Sequence, residues 1–150
     1  MKRKNLIKTH LAATTVATIT IVMFFSVSLV AELHGDEELI ISVKTGIFRF
    51  LPLLLFSMPA LAISGNKLAA ASDNVLVKQK KQRMKIVMVN GIVLVTLAVF
   101  LYYRANYQSV DQVFMYAQIA ELCFGLFNLI LIGMNIYSGL KLSGRMGQLA

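Results

Sequence analysis

The chain has 150 residues, 57% of them hydrophobic and only 15% charged, with 15 Lys and Arg against 7 Asp and Glu for a net charge of +8. Soluble globular domains carry about 25% charged residues. A chain this apolar (mean hydropathy +0.70) is therefore neither a disordered tail, nor a collagen-like fibre, nor an ordinary cytosolic enzyme, and its one cysteine, Cys123, excludes an intrachain disulfide framework and a multi-thiolate zinc site.

The apolar residues gather into four blocks. Residues 11–31 carry no formal charge. About 20 apolar residues at ~1.5 Å each cross a hydrocarbon core of ~30 Å, so this block is long enough to span a membrane. Lys2, Arg3 and Lys4 ahead of it resemble the start of a secretory signal. The run is too long for a signal core, however, and Leu29 stands where cleavage after Ala31 needs a small residue, so it is read as a retained signal-anchor and first helix. Thr14, Thr15, Thr18 and Thr20 can bond their own backbone.

Residues 45–64 form the second block, interrupted only by Arg49. Pro52 and Pro59 lie seven residues apart, nearly on one face, and free the carbonyls of Phe48 and Leu55. They mark helix kinks that either open a cavity or simply reflect the frequency of Pro in membrane helices. Ser64-Gly65-Asn66 then ends the span, and Ser72-Asp73-Asn74 can cap a new helix. A basic helical stalk over residues 73–85 is expected to run into the third block, residues 86–103. Its cations Lys78, Lys80, Lys81, Arg83 and Lys85 suit anionic lipid headgroups at ~1 kcal/mol each. A nucleic-acid partner is not expected, because no aromatic residues are interleaved with them.

Residues 113–138 form the fourth block, with Glu121 as its only formal charge. Gln118, Glu121, Gly125, Asn128, Asn135 and Gly139 share about 100° of helical arc. Such a polar stripe is costly in hydrocarbon and must face the bundle interior or an oligomer axis. Counting ~1.5 Å per residue from each span's outer edge puts Glu121 about 12 Å deep and Arg49 about 7 Å deep. The expectation is a buried Arg49–Glu121 pair locking spans two and four; otherwise Arg49 snorkels outward and Glu121 serves as a proton site. Asn90 and Asn135 lie at similar depth and can bond each other.

Four Lys and Arg residues precede span one, six lie between spans two and three, and two, Lys141 and Arg145, follow span four. Only Lys44, Arg49 and Arg104 fall on the other side. By the positive-inside rule both termini face the cytoplasm, giving an all-α, up-down-up-down bundle in one integral membrane domain, residues 1–150.

Metal and cofactor signals are weak. His10 and His34 stand at opposite ends of span one, ~36 Å apart if helical, and cannot ligate one haem in a monomer. His10 with a methionine, or with its equivalent in an oligomer, remains a candidate ligand for haem b. Met58, Met88, Met134 and Cys123 lack any copper-binding spacing, and no metal site is expected.

The stretch Met115-Tyr116-Ala117-Gln118-Ile119-Ala120-Glu121, continuing through Asn135 and Gly139 to Arg145, resembles the last helix of a group of small four-helix bacterial inner-membrane proteins. The resemblance implies a bacterial inner-membrane location and no particular chemistry. Small multidrug exporters carry their carboxylate in the first helix, and disulfide-forming quinone reductases need paired cysteines; neither pattern is present. The functional expectation is a non-catalytic oligomeric or accessory subunit of a membrane assembly. The alternatives are a proton- or ion-coupled transporter or channel using Glu121 and the stripe, and a haem-binding electron carrier.

Overall fold

The computed structural model describes residues 3–70 and 72–144. The expected termini Lys2 and Arg145 lie outside the described residues. Four helices account for almost all of them: α1 (Arg3–His34), α2 (Glu37–Ala69), α3 (Val75–Tyr107) and α4 (Gln112–Leu142). There is no strand among the described residues. Each helix is long and apolar enough to cross a membrane.

The helix starts follow from local chemistry. Asp36 has extended backbone and its side chain accepts from the Glu38 amide, with Glu37 and Glu38 in the first turn beside the positive end of the dipole. Gly35, at φ 67°, makes the reversal out of α1 that a Cβ would strain. Asn74 caps α3 by accepting from the Leu76 amide, and α3 then continues unbroken from the basic stalk into the apolar segment. Asp111 caps α4 through the Phe114 amide. α2 remains helical through Pro52 and Pro59, both of which are exposed on its outer surface.

Connections this short make consecutive helices antiparallel. Each helix packs on its chain neighbours, and α1 closes against α4, so the four form a ring whose diagonal backbones do not touch among the described residues and are bridged only by side chains. One end of the ring gathers the start of α1, the end of α2, the start of α3 and the end of α4. It holds ten of the thirteen described Lys and Arg residues and is called the basic end here. The other end carries Glu32, Asp36, Glu37, Glu38 and Asp111 and is the acidic end. A cluster of Ala31, Ile40, Leu101, Ala105 and Phe114 closes the acidic end. A second layer, Ile21, Val87, Leu131 and Ile132, crosses the bundle nearer its middle.

The polarity of the bundle is inverted relative to a soluble one. Phe56 is 78% exposed and Ile92 68%, whereas Gln118 and Asn128 are fully buried. Water would punish both choices, and hydrocarbon rewards both.

At the acidic end, Arg104 binds Asp111 through two hydrogen bonds of 3.1 and 2.6 Å. The Arg104 hydrogen bond and the Phe114 amide hold the Asp111 carboxyl down at about 2, against an ordinary value of 3.8. Because the folded value is the lower one, this contribution is present above the ordinary value and is lost as pH falls toward 2. Protection of the amides at the start of α4, measured against their intrinsic exchange rate, should therefore decline below pH 3.8 in the wild type. Asp111→Asn keeps a capping side chain without the charge, and its protection relative to the intrinsic rate should not change with pH in that window.

Candidate functional site

Three helices bring polar side chains to one point in the acidic half of the bundle. Lys44 of α2, only 2% exposed, places its ammonium 2.5 Å from Glu121 Oε2 on α4. The same ammonium donates to Ser28 Oγ of α1 at 3.0 Å, and that hydroxyl lies 3.4 Å from Glu121 Oε2. Two opposite charges out of water need close pairing and further hydrogen bonds, and Ser28 supplies the extra contact.

The partner of Glu121 is thus Lys44, and the expected Arg49–Glu121 pair does not form. Lys44 lies seven residues into α2 and Glu121 nine into α4, about 10 and 13 Å from the same end. Arg49 follows Lys44 by five residues, a further 500° of rotation that leaves it about 140° around the helix. It is exposed on the outer surface, away from the buried line of Ile40, Lys44, Ile47 and Leu51. Reading the span from hydropathy alone started it at Thr45 and left Lys44 in a loop. The missed signal was the Asp36-Glu37-Glu38 helix start, which carries Lys44 inside. Ser28 had no sequence signal of its own.

The stripe on α4 faces inward along its length. Gln118, Glu121, Gly125, Asn128, Asn135 and Ser138 are all buried. Both amide atoms of Gln118 and of Asn128, with Asn135 Oδ1 and Ser57 Oγ, find no hydrogen-bond partner. Buried amides are ordinarily paired with protein or with water, so these donors and acceptors are free to bind water or a polar solute. Asn90 does not bond Asn135; its Nδ2 donates to the Phe124 carbonyl at 2.9 Å, eleven residues and about 16 Å of helix before Asn135, so the two asparagines are not at the same depth.

Two cavities lie along the axis. The one in the acidic half is small, about 50 Å³, and is lined from all four helices, with Ser28 and Glu121 as its polar groups among Phe24, Leu51, Leu94 and Ala98. The one at the basic end has a volume of about 280 Å³, with His10, Lys80, Lys81 and Asn135 on its wall. The layer of Ile21, Val87, Leu131 and Ile132 stands between them. On α4, Asn128 sits between Gly125 of the first cavity and Ile132 of the second. Pro52 and Pro59 line neither.

His10 Nδ1 meets Ser64 Oγ at 3.0 Å, and the Ser64 hydroxyl lies 2.6 Å from the Ala60 carbonyl. Met84 lines the same cavity, whereas His34 is at the other end of α1. Among the described residues no group of three or more His, Cys, Asp or Glu gathers for a metal ion.

The stalk cations divide by face. Lys78 pairs outward with Asp73 at 3.5 Å. Arg83 reaches Ser138 Oγ on α4 at 3.0 Å. Lys80 and Lys81 line the basic-end cavity, while Lys85 is exposed.

Comparison with protein-family models, with curated proteins and with solved structures finds no match. The functional reading therefore rests on the geometry of this chain.

Proposed function

We propose that the chain is a small proton- or ion-coupled transport protein of a bacterial inner membrane, with both termini cytoplasmic and the path along the bundle axis. The carrying observation is the Lys44–Glu121–Ser28 cluster on one axial cavity, separated from a second by a single apolar layer. Intramembrane ionisable residues are costly to retain and mark ion or proton pathways by default. A proton added to Glu121 cancels its attraction for Lys44 and loosens the polar tie that joins α1, α2 and α4. Orientation is supported by the concentration of cations at the basic end. The bacterial assignment is supported by the resemblance of the last helix.

This reading needs no catalysis. A second reading, the accessory or oligomeric subunit, is favoured by Gly133, which stands open on the outer face of α4 and admits a neighbouring helix closely.

The test is proton uptake by proteoliposomes under an imposed inside-negative potential, read with a trapped pH dye. Wild-type protein should exceed empty vesicles. The variant Lys44→Met with Glu121→Met, which removes both charges together, should fall to that baseline while remaining monodisperse. Uptake by the double variant at the wild-type rate overturns the assignment of Glu121. No uptake by the wild type hands the case to the subunit reading.

A further inference from the structure

The cavity at the basic end differs in chemistry from the one around Glu121. All four helices contribute to it, and none of its lining residues is acidic. Most of the wall is apolar, running over Leu61, Val77, Met84, Ile132 and Ile136. Lys80 and Lys81 stand on one side, and Asn135 faces it from α4. Asn135 is 7% exposed, and its Oδ1 has no partner.

Two glycines create the room. A Cβ at Gly139 would stand 3.1 Å from Lys80 Nζ, and one at Gly65 would stand 3.1 Å from His10 Cε1. The lysine is thus drawn in over α4, where a larger residue would displace it. It has no carboxylate within ion-pair distance among the described residues, whereas Lys78, two residues earlier, is turned outward onto Asp73. A cation brought to the mouth of an apolar cavity and left without a counter-charge calls for an anion. The apolar wall calls for something other than water, which needs polar partners on several sides. A volume of about 280 Å³ behind an open mouth receives part of a chain-like ligand.

We infer that this cavity is a binding site for one anionic amphiphile, its carboxylate or phosphate held by Lys80 and Lys81 beside Asn135 and its hydrocarbon tail laid along Leu61, Met84, Ile132 and Ile136. This differs from general attraction of anionic lipid to the stalk, because it selects two of the five stalk cations and a defined interior volume. It rests on the cavity and is independent of transport.

The experiment titrates the full chain, held in phosphatidylcholine nanodiscs, with oleate and with oleyl alcohol by calorimetry. Oleate should bind saturably at one per chain, and oleyl alcohol should bind much more weakly. Lys80→Gln should weaken oleate by about tenfold or more, the loss expected for one charge-assisted contact. Lys80→Arg should restore it, and Lys78→Gln should leave it unchanged. Gly139→Leu keeps every cation but displaces Lys80, and it should also lose oleate. Equal binding of the alcohol, or equal loss from Lys78→Gln and Lys80→Gln, overturns the inference. So does a Soret band in the purified protein that vanishes with His10→Ala, since haem would then fill the cavity. Repeating the titration with phosphatidylglycerol in the nanodisc identifies the source within the proposal. Competition makes the occupant a bilayer phospholipid, and its absence makes it a free amphiphile. A protein that binds oleate but carries no proton flux retains the site and loses only the transport reading.

Discussion

Lys44→Met should destabilise the protein by about 3–5 kcal/mol, because Glu121 is left as an uncompensated charge in a dry setting. Glu121→Gln should fall in the same range for the mirror reason, softened to the extent that the amide oxygen still accepts from Lys44. Removing both charges with apolar residues of similar size should recover most of the loss, since a buried pair is worth little against good packing. Arg49→Gln is the discriminating control. It sits exposed on the outside of α2 and should change stability by less than about 0.5 kcal/mol. The measurement is thermal unfolding in mild detergent, followed by the monodisperse fraction for all four variants. Additive losses for Lys44 and Glu121 would deny the pairing. A large loss at Arg49 would restore the pair expected from the sequence.

Asn128→Leu should act in the opposite direction on stability and in the same direction on activity. Asn128 is fully buried and neither amide atom has a partner, a condition that costs about 1–3 kcal/mol. An apolar side chain of similar size relieves that cost, so the variant should unfold at a higher temperature. If the amide is there to receive water or an ion passing between the two cavities, proton uptake should fall together with the gain. Stability exchanged for activity is the usual mark of a residue kept for function. A variant that is less stable yet conducts normally would make Asn128 a packing residue instead.

How much of this was legible beforehand differs by element. The four helices could be read because apolar blocks of this length have few alternatives, and Asn74 announced the start of α3. The inward face of α4 could be read from the recurrence of Gln118, Glu121, Asn128 and Asn135 at helical spacing. The pairing across helices could not be read so directly. Hydropathy sees Lys44 as the end of a polar loop, and only the cap at Asp36 shows that two turns of helix precede it. Likewise Asn90 meets α4 at the Phe124 carbonyl, eleven residues and about 16 Å of helix away from Asn135, a register that counting depth along each span did not reveal.

Local and one-dimensional quantities therefore established the class of molecule: apolar length, the caps, the period of the polar stripe and the imbalance of cations along the chain. These depend on residues near one another in sequence, and each is a property of a single helix. Ser28, Lys44 and Glu121 come from three helices, and the two cavities are lined by all four. Their meeting depends on the rotation and depth of each helix relative to its neighbours. That is set by close packing of many weak contacts, and no single span contains it.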